Sequence, residues 1–174
     1  MIVVVMGVSG SGKTTIGKRL AERTGWIFAD ADDYFPRSAK EKMAAGHPLN
    51  DEDRAPWLLT LNSLLRKWDK EDTNGILACS ALKTKYHATL KAGVPPAHIR
   101  FIFLDAPKKL LAARLAARKH EYMNPKLLDS QLATLEPPSD ALRIVNDRAP
   151  EEIVSQILAH VSPLQNVAEE KIPK

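Results

Sequence analysis

The sequence holds a single cysteine, Cys79, so no disulfide can form within the chain, and a reducing, cytoplasmic setting is the simplest expectation. No apolar run approaches the ~18 residues that a membrane-crossing helix needs, so no membrane association is expected. Met1–Met6 passes into a glycine-rich stretch without a basic lead, and is not expected to act as a signal peptide. Aromatic residues are scarce, at 6%. Only Tyr122 and Phe101 or Phe103 lie near the basic stretch, so the interleaved pattern of a nucleic-acid binder is missing. Internal repeats and low-complexity tracts are absent, which excludes solenoids and disordered tails as the main architecture.

What is present is an ordinary globular composition, 44% hydrophobic and 26% charged over 174 residues. That length fits one domain spanning 1–174, burying roughly 70% of the surface its unfolded chain exposes. The net charge of +4 is unevenly placed. Residues 1–99 carry 14 basic and 11 acidic side chains, residues 100–126 carry 7 and 2, and residues 127–174 carry 4 and 8. The surplus therefore sits in one short stretch, which suits a small polyanion as well as a nucleic acid.

Short apolar runs alternate with helical periodicity. Strands are expected at Ile2–Met6, Trp26–Ala29, Ile76–Cys79, Ile99–Leu104 and Leu142–Val145, each apolar on consecutive positions and so buried on both faces. Between them, Lys13 to Arg23 reads as a helix closed by Gly25. Ser38-Ala39-Lys40-Glu41 reads as a capping box opening a helix that stops at Gly46. Asn50 or Asp51 caps a long helix with Pro56 in its first turns. Pro107 and Pro150 are placed at the first positions of two later helices, with Asp105 as a cap before Pro107. The pattern predicts an α/β fold of three layers, α/β/α, on a five-stranded parallel sheet. A short helical lid is expected at about 119–138 and a flexible tail at 162–174.

Gly7-Val8-Ser9-Gly10-Ser11-Gly12-Lys13-Thr14 matches the phosphate-binding pattern G-x-x-x-x-G-K-[ST], entered by a strand and left by a helix. Glycines bring backbone N–H groups close to phosphate oxygens, and the helix N-terminus adds positive potential. Gly7, Ser9, Gly10, Ser11, Gly12, Lys13, Thr14 and Thr15 are thus candidates for binding ATP, with Lys13 on the β- and γ-phosphates and the Thr14 hydroxyl on Mg²⁺. Asp30 leaves the second strand where it can reach that metal, and Asp32 lies two residues on, where a carboxylate can orient an acceptor hydroxyl and take its proton. Arg54 opens the long helix, among acids that could hold its guanidinium; capping and substrate binding both fit. Ser80 and Lys83 follow the third strand, with Lys83 either on a ligand or in solvent. Cys79 reads as a small buried hydrophobe. Arg114 and Arg118 stand four apart on one predicted helix and share a face that could project to the γ-phosphate or adenine. Glu121 to Asn124 then interrupts the pattern, as a mobile cover would.

Nearly the whole chain resembles the P-loop gluconokinases of bacteria and animals, relatives of shikimate kinase and the nucleoside monophosphate kinases. The resemblance rests on Met6 to Lys13, Asp30-Ala31-Asp32 with Pro36, Lys42-Met43 and Pro48-Leu49-Asn50-Asp51. It continues through Asp53-Arg54, Pro56-Trp57-Leu58, Cys79-Ser80-Ala81-Leu82-Lys83 with Tyr86, Arg114-Leu115 with Arg118, Leu128, Ser130-Gln131 and Leu135-Glu136-Pro137. It implies transfer of the γ-phosphoryl of ATP to the 6-hydroxyl of D-gluconate, with Lys13, Asp32 and Arg118 catalytic. It further implies Arg54 and Lys83 on the substrate, Arg114 on the nucleotide side, the loop from Asn146 to Pro150 near adenine, and a homodimer. Three positions depart from the pattern: Phe35 where His is usual, His87 where Arg is usual, and Glu121 where the lid commonly carries His. A kinase of another small polyol acid, or a nucleotide-dependent binding module without transfer, are the alternatives. The Asp30/Asp32 pair speaks against the second.

Overall fold

The computed structural model describes residues 1–118 and 125–161. The expected cover at 121–124, Lys119, His120 and the expected tail at 162–174 lie outside those residues. Five strands, β1 (Ile2–Met6), β2 (Ile27–Asp30), β3 (Gly75–Ala78), β4 (Ile99–Asp105) and β5 (Leu142–Val145), form one parallel sheet in the order β2-β3-β1-β4-β5. All five expected strands form, with ends shifted by at most a residue or two. Seven helices accompany them: α1 (Lys13–Thr24), α2 (Arg37–Ala44), α3 (Asp51–Lys70), α4 (Thr84–Lys91), α5 (Lys108–Ala117), α6 (Pro125–Thr134) and α7 (Pro150–Val161).

The sheet is buried on both sides because β1 presents alternate residues to two cores. Ile2, Val4 and Met6 pack with Trp57, Leu61 and Leu65 of α3 and Leu90 of α4. Val3 and Val5 pack on the opposite face with Ile16 and Leu20 of α1 and with Ile153 and Ile157 of α7. A third, smaller cluster joins Val8, Leu82, Ala106, Leu111, Leu115 and Leu128 beyond the carboxyl ends of the strands. The strand order reverses at β1, with β3 on one side and β4 on the other, and that is where open parallel sheets bind ligands.

Local chemistry sets several boundaries. Asn50 caps α3 in a capping box with Asp53, each side chain accepting the other's backbone N–H. Gly25 closes α1 in the left-handed conformation, as expected. The capping box expected at Ser38 does not form: the N-cap is Pro36, two residues earlier, and Glu41 instead pairs with Arg37 one turn back. Asp105 is not a helix cap either. It is the last residue of β4, holding Arg143 of the neighbouring β5 and its own following N–H, while Pro107 takes the cap position of α5. Pro150 does stand at the first position of α7.

Trp57 is fully buried, donates its indole N–H to the Ala31 carbonyl at 2.7 Å, and stacks on Phe35 with ring centroids 4.3 Å apart. It thus fixes the 3₁₀ turn Ala31–Tyr34 that carries Asp32. Trp57→Phe keeps an aromatic ring but leaves the Ala31 carbonyl without its partner. It should cost about 1–3 kcal/mol of stability, the penalty for an unpaired buried acceptor, read as a lowered urea midpoint. An unchanged midpoint would show that the turn does not depend on this bond.

Candidate active site

β1 ends at Met6 and α1 begins at Lys13, so residues 7–12 must turn tightly at the sheet's switch point. Gly7 and Gly12 meet that demand with φ of +147° and +94°. A Cβ on Gly7 would stand 2.5 Å from the Leu104 carbonyl, and one on Gly12 would stand 2.4 Å from the Asn146 amide nitrogen. Gly12 caps α1 without a side-chain acceptor, and the first turn of α1 carries no acid, so its amides face the loop uncompensated. Lys13 curls back over the loop and donates to the Val8 carbonyl at 3.0 Å. Ser11 is fully buried, and its hydroxyl finds no partner among the described residues. Thr15 lies exposed in the first turn of α1.

The loop is braced from the far side of the sheet. The Asn146 side chain donates to the Ser11 carbonyl at 2.8 Å, and Arg114 donates to Asn146 O at 2.7 Å and to Gly10 O at 3.4 Å. Sequence reasoning missed the role of Asn146; the available signal was a polar residue directly after the apolar strand β5. Pro150, expected on the nucleotide side, heads α7, whose buried residues pack on the core face shared with α1.

Thr14 and Asp30 meet across the cleft, the hydroxyl donating to Asp30 Oδ2 at 2.7 Å. The other Asp30 oxygen accepts the Asp32 N–H at 3.1 Å and caps the 3₁₀ turn. Asp32 is thereby placed beside Lys13 and Arg54, whose positive charges act on it. α5 ends at Ala117, so Arg118 does not continue the helical face of Arg114, as the spacing had suggested. Its charge nevertheless bears on Lys13. The structure thus brings Lys13, Thr14, Asp30, Asp32, Arg54, Arg114 and Arg118 to one cleft.

Beyond Asp32 lies a group that the sequence only partly announced. Asp51 accepts from Lys83 at 3.0 Å and also from Lys85 and the Tyr86 hydroxyl. These bonds hold its carboxyl well below the usual range, Lys85 foremost, while burial pushes the Tyr86 phenol up to about 12. Lys83 is therefore held by Asp51 and not loose in solvent. Arg54 lies over the Tyr86 ring, 5.9 Å from its centroid, and among the described residues no carboxylate sits within ion-pairing distance of it. Of the neighbouring acids, Asp53 pairs instead with Lys42 at 2.6 Å and Asp51 with Lys83 and Lys85. Ser80 is half-buried between Cys79 and Ala81, the latter at a φ of +43°. His87 is buried and engages the Ala81 carbonyl, and burial pushes its imidazole below the usual range. Cys79 is buried with its thiol pushed up to about 12, so it is no nucleophile.

Two central charges are held against their own ionisation. Burial pushes Lys13 below the usual lysine range, with Asp32, Cys79 and Asp30 opposing. Asp32 reaches solvent on one side, yet burial on the other and the neighbouring Asp30 raise its carboxyl above the usual range, outweighing Lys13 and Arg54.

Comparison with known proteins places this geometry. The shikimate kinase family model matches residues 9–162. A probable gluconokinase of Xenopus tropicalis is 44% identical over 92% of this chain and 93% of its own length. The gluconokinase of Gluconobacter oxydans is 42% identical, covering 91% and 89%. The crystal structure of a gluconokinase from Sinorhizobium meliloti superposes with a TM-score of 0.83 at 34% identity, covering 98% of this chain and 97% of that one.

The raised Asp32 carboxyl has a sign. The folded chain binds this proton more tightly than the unfolded chain, so ionised Asp32 lowers stability above its folded pKa. The deficit builds as pH rises through the window between the ordinary Asp value and the raised one, and is absent below it. Asp32→Asn should therefore melt at a higher temperature than the wild type at neutral pH, with the gap closing toward pH ~4. Calorimetry across that range checks this; an equal or lower melting temperature at neutral pH would refute the strain assigned to Asp32.

Proposed function

We infer the reaction from one premise: the chain belongs to the shikimate kinase family and, within it, to the gluconokinases. It catalyses ATP-dependent phosphorylation of D-gluconate to 6-phospho-D-gluconate. The observation that carries the assignment of roles is the link Thr14–Asp30–Asp32, which sets the phosphate loop beside an acceptor-side carboxylate.

In this reading the phosphate loop from Gly7 to Thr15, apart from the Ser9 N–H held by Gln131, takes the charge of the transferred phosphoryl group together with Lys13 and Arg118. Arg114 holds the loop in shape on the nucleotide side. Asp32 orients the 6-hydroxyl and accepts its proton as the oxygen attacks, and a carboxyl raised toward neutrality suits that task. Arg54, without a carboxylate partner among the described residues, takes the gluconate carboxylate, with Ser80 and Lys83 at the same end. The Thr14 hydroxyl and Asp30 are hard oxygen donors that fit Mg²⁺, and no cluster of three or more ligating side chains suited to a resident metal occurs among the described residues. When bound, that ion supplies charge neutralisation on the phosphates. We extend the reading to a cytoplasmic homodimer, the assembly common among the kinases the chain resembles. No helix among the described residues is long and apolar enough to cross a membrane.

A coupled ADP-release assay across D-gluconate, other aldonic acids, shikimate and nucleoside monophosphates should give the highest kcat/KM with D-gluconate. Turnover of another acceptor without turnover of gluconate would overturn the assignment. Asp32→Asn should leave nucleotide affinity within about three-fold while lowering kcat by at least ~10²-fold, the share of a positioned general base. Arg54→Ala should raise KM for gluconate by roughly ten- to hundred-fold, the loss of hydrogen bonds to a charged group, with little change for ATP.

A further inference from the structure

α6 itself places no residue in the two large cores, although the following Leu135 also packs against the first. Its buried residue Leu128, with Leu132 and the following Leu135, packs into the third cluster, whose other members are Val8 of the phosphate loop, Leu82 of the loop after β3, Ala106, and Leu111 and Leu115 of α5. Hydrogen bonds fix the C-terminal half of α6 and the chain that leaves it. Gln131 grips Ser9 twice, its carbonyl accepting the Ser9 N–H at 2.8 Å and its amide donating to the Ser9 hydroxyl at 3.1 Å. Five residues on, just past the end of α6, Glu136 donates its backbone N–H to the Leu82 carbonyl at 2.7 Å, and its carboxylate accepts the Thr84 N–H at 2.8 Å. The second bond caps α4, which has no side-chain cap of its own, and holds the Glu136 carboxyl below its usual range. The last turns of α6 and the two residues that follow them therefore tie the loop that receives phosphates to the loop that carries Ser80 and Lys83.

We propose that Gln131 and Glu136 are positioning residues that make α6 a strut between the two loops, so that nucleotide and acceptor bind synergistically. Whichever ligand orders its loop also fixes α6, and through it the opposite loop; the second ligand then pays less for ordering. The two contacts are of unlike kind. The Gln131 grip occupies a backbone donor within the phosphate loop itself, whereas the Glu136 grip sets the helix that starts at Thr84. Neither residue touches the reacting atoms in this scheme. The proposal rests on the gluconokinase reading for the identity of the acceptor.

Isothermal titration of the full chain with a non-hydrolysable ATP analogue and Mg²⁺, and with D-gluconate, each alone and at saturation of the other, gives the coupling factor. For the wild type it should be at least ~5-fold, the lower end of ordinary coupling between sites. Gln131→Ala should bring it below about two-fold while each Kd measured alone stays within about three-fold. Glu136→Ala cuts the other end and should do the same, and the double variant should lose no more than either single one, since both break one strut. A merely structural role would lower the melting temperature and weaken both ligands in step, leaving the ratio intact. A folded variant at either position with wild-type coupling, or a wild type without coupling, overturns the strut. If gluconate gives no binding at all, the acceptor assignment fails and the strut falls with it; binding without coupling refutes the strut alone.

Discussion

The hydrogen bond from Thr14 to Asp30 is the contact on which the site's arrangement depends. β1 and β2 are not neighbours; β3 lies between them. The loop after β1 and the carboxyl end of β2 are therefore brought together only over the end of β3, which stops at Ala78 and is followed by the small residues Cys79, Ser80 and Ala81. A bulky side chain there would fill the space that the bond spans. The bond also decides what Asp30 can do. With one oxygen committed to Thr14 and the other to the N–H of Asp32, the carboxylate fixes the direction in which the chain leaves the sheet. The placement of Asp32 follows from that, and so does the turn that Trp57 then locks from below.

The fold bears a cost at this point and offsets it elsewhere. Lys13 and Asp32 are both held away from their comfortable ionisation states, and Ala81 occupies a conformation that a residue with a side chain rarely takes. Strain of this kind persists only where the surroundings over-determine it. Here the surroundings are two apolar layers against a sheet buried on both faces, together with His87, which holds the Ala81 carbonyl from inside the core. His87 thus serves the loop as a neutral, packed ring, lying edge-on to Phe101 at 5.5 Å. Phe35 is likewise engaged in packing, stacked on Trp57. The two departures from the family pattern within the described residues are accordingly changes in how the acceptor loops are supported.

Much of this was legible in the sequence, for physical reasons that differ by element. The strands were readable because parallel strands buried on both faces must be apolar at every position, and Val3-Val4-Val5 has no other use in a chain of this composition. The phosphate loop was readable because glycine is obligatory where a Cβ would strike Leu104 O or the Asn146 amide. Caps were less legible. Ser38-Ala39-Lys40-Glu41 satisfies the pattern of a capping box, but Pro36 already sets the helical entry, and Glu41 pairs with Arg37 on the same face. Arg118 shows the same limit: a four-residue spacing implies a shared face only while the helix lasts, and α5 stops one residue short. Least legible were contacts between residues far apart in sequence, such as Gln131 with Ser9 or Asn146 with Ser11, since neither local propensity nor periodicity encodes a partner more than a hundred positions away.

The basic surplus of residues 100–126 takes on a different meaning once these contacts are known. Arg114 is committed to carbonyl groups of the phosphate loop and of Asn146, and Arg100 to those of Pro96 and Ile99, so part of that charge stabilises backbone rather than meeting a ligand. On the acceptor side the same economy appears in reverse. Lys83, Lys85 and Arg54 all lie within 6 Å of the Tyr86 ring, and Asp51 binds both lysines while leaving Arg54 over the ring face. A planar guanidinium that is oriented by an aromatic face, and not by an acid, remains able to grip a carboxylate with two parallel bonds. Had Asp51 paired with Arg54 instead, the cleft would offer a ligand only the point charges of two lysines. Under the proposed reading, the division of partners around Tyr86, more than the number of positive charges, is what would suit the cleft to a carboxylate.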